Sequence, residues 1–121
     1  MHDTFPKIAA HGASVVVGSP LLAGYLAGRD RYLYDGKVPS WAPEKRAKVE
    51  AVCDRHGVDL RTAALQFADA PEVVSAVIPG ARTPEQVLAN VASMSVAIPA
   101  AFWAELKQET LIASDAPVPR G

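Results

Sequence analysis

The residues of this 121-residue chain best matched to an anion are Gly80, Ala81, Arg82 and Thr83, which follow a β-branched run from Val73 to Ile78 and precede Pro84-Glu85-Gln86. This order predicts a buried strand, a glycine loop and a helix N-terminus in immediate succession. The first N–H groups of a helix have no intrahelical partners and the macrodipole places partial positive charge on them, so a phosphate is a natural ligand there. Arg82 adds a planar, permanently charged fork at the same spot. Thr83 can cap the helix, Pro84 suits its first position, and Gln86 stands where a capping box wants Glu or Gln. Spacing alone does not separate a phosphate site from a plain strand-to-helix turn, because many α/β proteins build such turns the same way.

Other reactive residue types offer less. His11 and His56 stand where helices end, beside the negative pole of the dipole, which is a structural place for a cation. Cys53 falls on the apolar stripe of a helix and reads as a small core residue rather than a thiolate nucleophile. Tyr25, Tyr32 and Tyr34 have no Lys or His at a diagnostic spacing, so they read either as surface packing or as the rim of a substrate mouth. No catalytic group and no metal-ligand set is expected.

The elements that must position the junction follow from period and punctuation. Phe5 to Ala10 reads as a helix end, closed by His11 and Gly12. Ala13 to Val17 reads as a short buried strand running into Gly18-Ser19-Pro20, with Leu21 to Gly24 continuing that loop. Residues 25–41 show no clear period and are expected to form a long excursion with room for a short helix. Pro43 to His56 reads as a helix with Val49, Val52 and Cys53 as its stripe, stopped at Gly57. A second helix, capped by Asp59, carries Leu60, Ala63, Ala64, Phe67 and Ala68 and ends before Pro71. The helix from Pro84 to about Met94 is expected to bury Val87, Leu88 and Val91. A last helix from Pro99 places Phe102, Trp103 and Leu106 as its anchor, and residues 114–121 read as an extended tail.

Half of the residues are hydrophobic and net charge is −1, from 12 basic and 13 acidic side chains. That composition supports one domain with a core and provides no footprint for nucleic acid or an anionic membrane. A single cysteine and a polar start, Met1-His2-Asp3-Thr4, indicate a cytoplasmic protein, and no apolar run is long enough to span a bilayer. Strands alternating with helices predict parallel pairing through a crossover. Two strands, each apolar on both faces, expect neighbours and covering layers that the chain does not supply.

Ser14-Val15-Val16-Val17-Gly18-Ser19-Pro20-Leu21 with Gly24, then Ala63-Ala64-Leu65-Gln66-Phe67, then Val77-Ile78-Pro79-Gly80 through Asn90, resemble the last third of an aldo-keto reductase. Ile78-Pro79-Gly80-Ala81-Arg82 and the Ala116-Pro117-Val118-Pro119 ending look closest to D-threo-aldose 1-dehydrogenase and pyridoxal 4-dehydrogenase-like members. The resemblance implies an α/β fold, the C-terminal portion of a (β/α)8 TIM barrel with about its last two strands, and makes residues 1–121 a partial NADP-dependent oxidoreductase domain. It implies NADP or NAD as cofactor and, in the complete enzyme, a small carbonyl or sugar substrate. Ser19, Leu21 and Gly24 would cover the pyrophosphate. Gly80, Ala81 and Arg82 would cradle the adenosine-side ribose or its phosphate, with Gln86 beside them, and Asn90 would lie near the adenine.

The chain departs from the resemblance in ways that bear on chemistry. Gly18 stands where many members place an aromatic residue under the nicotinamide, Gly80 where many have Lys, Gln86 where many have Arg, and Ala89 where many have Glu. On this pattern only Arg82 remains to neutralise a 2′-phosphate, so NAD or dual use is expected. The early strands that carry the family's Asp, Tyr, Lys and His are absent, so the chain alone is expected to be inactive. It is expected to self-associate or to join the missing N-terminal part. A second reading is a non-catalytic nucleotide- or phosphate-binding module that associates with a partner.

Overall fold

A computed structural model describes residues 2–34 and 36–120. The elements run α1 (Thr4–Ala10), β1 (Val15–Gly18), a 3₁₀ segment (Leu22–Ala27), α2 (Ala42–His56), α3 (Leu60–Asp69), β2 (Val74–Ile78), α4 (Pro84–Met94) and α5 (Ala100–Gln108). The expected strand and helix segments are all present with ends shifted by a residue or two. The loop after β1 coils into the 3₁₀ segment, within which Ala23 and Gly24 leave helical geometry. The two strands pair in parallel, with Val17 opposite Val77, Gly18 opposite Ile78, and a register irregularity between Val15 and Val16. Everything from the 3₁₀ segment to α3 is the crossover that a parallel pair requires.

Sequence explains the helix ends. The Asp59 carboxylate accepts from the Thr62 N–H at 3.0 Å and starts α3, and Thr83 Oγ1 accepts from the Gln86 N–H at 3.3 Å and starts α4. Gly57, at φ +63°, takes the left-handed conformation that stops α2. His11 bonds the Lys7 carbonyl through Nδ1 at 2.8 Å, which ties it to the end of α1.

The core lies among α2, α3 and α5 rather than on the sheet. Val52, Cys53, Ala63, Phe102, Trp103, Leu106 and Leu111 are buried together, and Phe67 stacks on Trp103 with ring centroids 6.1 Å apart. Burial and the nearby carboxylates of Asp59, Asp54 and Glu50 push the Cys53 thiol up to about 11, so it stays protonated at neutral pH. An ionic clasp closes α2 on α5: Arg55 Nε donates to Glu105 at 2.7 Å, Arg55 Nη2 to Glu109 at 2.7 Å, and His56 Nε2 meets Glu105 Oε2 at 2.5 Å. The tail is tied down, because Val118 packs on the core and Arg120 Nη2 donates to Glu72 at 2.6 Å. Gly121 lies outside the described residues.

Two burial expectations are corrected. Val87, Leu88 and Val91 are 50%, 69% and 63% exposed, and α4 instead buries Asn90 and Ser93. Val16 and Ile78 are 55% and 60% exposed, so neither strand is buried on both faces. The reason is area, since two short strands cannot cover both their own far side and the apolar face of a helix.

Two measurements check this description. Leu88→Gln and Val91→Gln should each change stability by no more than about 0.5 kcal/mol, as for surface sites, and should lower binding of a hydrophobic dye. A loss of about 1.5–3 kcal/mol each would mean that the face is covered. The His56 hydrogen bond, then the Arg55 hydrogen bond and charge, hold the Glu105 carboxyl below the usual carboxylate range. A depressed folded value stabilises the fold above the unfolded value and is lost as pH falls through the folded one. Thermal melts should therefore show wild type above Glu105→Gln at neutral pH, with the two converging in acid.

Candidate functional site

Parallel pairing with Gly18 opposite Ile78 brings the two strand ends to the same edge, so the loops that follow them emerge side by side. Between these loops lies a cleft of about 690 Å³, within the usual size of a ligand site. Its lining includes Ser19, Leu21 and Gly24 from the first loop, Gly80, Ala81 and Arg82 from the second, and Gln86 and Asn90 from α4. All eight residues singled out from sequence thus meet at one place.

Local geometry sets what each can offer. The first loop is strained: Ser19, Leu22 and Ala23 have φ of 53°, 50° and 62°, a conformation that L-residues seldom adopt. Short backbone bonds hold it, from Leu22 N–H to the Ser19 carbonyl at 3.0 Å and from Gly24 N–H to the Leu21 carbonyl at 2.9 Å. Gly24 is required twice, by its φ of +99° and because a Cβ would sit 2.8 Å from Arg29 Cδ. In the second loop the Gln86 side-chain oxygen accepts from the Arg82 N–H at 2.7 Å, one residue before the cap, so Gln86 braces the junction. Asn90 is 8% exposed, lines the cleft, and makes no side-chain hydrogen bond among the described residues.

Helix α4 is positioned by polar contacts. Gln66 Nε2 donates to the carbonyls of Ser93 at 2.8 Å and Val96 at 2.7 Å, and Thr62 Oγ1 donates to Ser93 Oγ at 3.1 Å. Gln86, Asn90 and Ser93 recur at helical spacing, and that polar stripe, rather than the Val/Leu stripe, was the sequence signal for the packed face.

Three cleft residues escaped the sequence reading: Arg29, Arg31 and Arg61 line it together with Arg82. None of the four makes a side-chain hydrogen bond or ion pair among the described residues. Arg82 is therefore not the one cation lining the cleft. Arg61 could have been noticed, because a cation in the first turn of a helix opposes the macrodipole. Among the described residues Glu85 is the one carboxylate in the lining, and its own N–H and the Thr83 hydroxyl hold it below the usual carboxylate range. The tyrosines stand apart: Tyr25 is buried and packs edge-on to Tyr32, whose ring meets Trp41, while Tyr34 is 92% exposed.

Arginines line the cleft between the two strand-end loops, and a family profile described as "Aldo/keto reductase family" matches residues 1–109. The chain belongs to the aldo/keto reductase family. D-threo-aldose 1-dehydrogenase from a Pseudomonas species is 31% identical over 115 residues, covering 91% of this chain and 35% of the relative. Pyridoxal 4-dehydrogenase from Microbacterium luteolum is 31% identical over 114 residues, covering 91% of this chain and 33% of the relative. The holo form of an aldo-keto reductase from Bacillus halodurans superposes with a TM-score of 0.66 at 31% identity, over 98% of this chain and 40% of that one. This aldo/keto reductase chain spans about a third of the length of these curated relatives. It is a partial α/β unit with a two-stranded sheet, and among the described residues no helix is long and apolar enough to cross a membrane.

Gln66 offers the test of how α4 is held. Gln66→Leu keeps the volume but leaves the Ser93 and Val96 carbonyls without their donor, so urea unfolding should show a loss of about 1–3 kcal/mol. A change below about 0.5 kcal/mol would mean that α4 is held some other way.

Proposed function

We propose that this chain is the cofactor-binding part of an NAD(P)-dependent oxidoreductase that moves hydride between nicotinamide and a sugar, alcohol or carbonyl, and that it acts in the cytoplasm. The observation that carries this reading is the cleft: two parallel strand ends and, among the described residues, four arginines without acidic partners and an Asn90 amide without a hydrogen-bond partner. The family match and the dehydrogenase relatives support the reaction class.

The residues present fit a dinucleotide. Backbone N–H groups of the strained loop, with Ser19, Leu21 and Gly24, would face a pyrophosphate. Gly80 and Ala81 add no bulk, so a ribose can approach the α4 N-terminus, where Arg82 meets an anion. Asn90 would offer its amide to the adenine edge, and Gln86 would hold the loop in place. The bound cofactor supplies the hydride chemistry. The side chains lining the cleft include no Tyr, His, Lys or Asp among the described residues. Proton transfer to the substrate oxygen therefore needs groups from outside this cleft, and the chain alone should show no reductase activity. That same absence favours, as a second reading, a nucleotide-binding module that joins a partner carrying those groups.

Titrating NAD+ and NADP+ into wild type and Arg82→Ala tests the reading. At least one dinucleotide should bind, and Arg82→Ala should weaken NADP+ more than NAD+, by roughly tenfold to a hundredfold for a charge-assisted contact worth about 1.5–3 kcal/mol. Absence of binding to either would overturn the cofactor reading, and a variant with unchanged affinities would remove Arg82 from the site.

A further inference from the structure

The 3₁₀ segment has two faces, and one of them borders a cavity that the proposed function leaves unused. Ala23, Gly24 and Ala27 line the cleft, whereas Leu22, Tyr25 and Leu26 line a separate cavity of about 270 Å³ that shares no described lining residue with it. Helices α2, α3 and α5 supply its other walls. Ala63, Trp103 and Leu106 are buried at its floor, while Trp41 and Lys45 are exposed and mark its mouth.

The chemistry of the walls selects an occupant. Aromatic rings line much of the cavity and already pack on one another: Tyr25 meets Tyr32 edge-on at 5.7 Å between centroids, Tyr32 meets Trp41 edge-on at 6.4 Å, and Phe67 stacks on Trp103. A further ring fits such an array through the same contacts. An apolar cavity holds water poorly and takes up a small aromatic molecule instead. The charges that line it are of one sign, because among the described residues Lys45 and Arg46 contribute to it and no carboxylate does. Arg46 is occupied: its guanidinium lies 4.8 Å from the centre of the Tyr25 ring and its Nε donates to Glu50 at 2.8 Å. Lys45 makes no side-chain hydrogen bond or ion pair among the described residues. The mouth of an aromatic cavity thus carries one cation without a counter-ion.

We propose that this cavity binds a small aromatic carboxylate, with its ring seated among Tyr25, Tyr32, Trp41 and Trp103 and its carboxylate held at the mouth by Lys45. The volume falls just below the usual range for a drug-sized ligand, which suits a single ring with a short acid arm. The site lies on the far side of the 3₁₀ segment from the cleft, so it stands whether or not the cleft takes a dinucleotide.

Both tryptophans of the chain line the cavity, so intrinsic fluorescence reports its occupancy. Phenylacetate, 2-phenylethanol and 2-phenylethylamine put an anionic, a neutral and a cationic head on one ring, and each is titrated into the full chain. Phenylacetate should bind saturably with a Kd on the order of 1 mM, as expected of a ligand with about ten heavy atoms. At low salt it should bind about twofold to fivefold tighter than 2-phenylethanol, the scale of an exposed ion pair, with 2-phenylethylamine weakest. Added salt should close the gap. Lys45→Gln should erase the preference for phenylacetate and leave the affinity for 2-phenylethanol within about twofold. Ala64→Leu fills the cavity from the wall of α3 with a residue that suits a helix, and should abolish binding of all three. Absence of a saturable response to phenylacetate in wild type, which needs no variant to fold, would overturn the site. Equal affinities for the three heads would overturn the carboxylate assignment, and phenylacetate binding that survives Ala64→Leu would place the ligand elsewhere and overturn the cavity.

Discussion

The in-register parallel pairing of β1 with β2 is the constraint on which the rest depends. Because Gly18 lies opposite Ile78, Ser19 and Gly80 begin their loops at the same edge of the sheet. A slip of one residue would turn every side chain of one strand to the other face and separate the loops. Parallel strands cannot be joined by a tight turn, so the chain must leave the sheet and return. That return passes through α2 and α3, which with α5 form the aromatic core. The crossover therefore closes the topology and also supplies most of the apolar burial.

The buried core and the cleft are separate in this unit. The core around Phe102, Trp103 and Val52 is far more enclosed than the cleft, which is framed by a strained loop, a glycine junction and the polar face of α4. Polar anchoring suits such a place. Gln66 and Thr62 hold α4 through directed bonds that set its rotation, whereas an apolar contact would tolerate small shifts. Asn90 and the four arginines can then stand without a side-chain partner among the described residues, because the helix that carries Asn90 does not rely on that amide for its position.

The exposed face of Val87, Leu88 and Val91 belongs with this picture. A helix beside a parallel sheet turns its apolar stripe to whatever layer covers it, and a two-stranded sheet is a narrow cover. Relatives about three times as long have further chain with which to cover such a face.

Much was legible from the chain as written. Helix and strand types followed from local chemistry that needs no tertiary context: Asp59 and Thr83 as caps, Gly57 as a stop, β-branched runs as strands. The gathering of Ser19, Leu21, Gly24, Gly80, Ala81, Arg82, Gln86 and Asn90 was anticipated from the family resemblance, and it agrees with the way strand-end loops of parallel neighbours share an edge. Which face of α4 is packed was not decided by period, since its Val/Leu stripe and its Gln/Asn/Ser stripe are both periodic; the polar stripe was there to be noticed, but only the position of Gln66 on α3 chooses between the two. Arg29 and Arg31 were hidden too, and Arg61 showed only as a cation misplaced in the first turn of a helix. Charge in a sequence is a property of single residues, whereas a field in a cleft is a sum over side chains far apart in the chain, and only the fold fixes the distances in that sum.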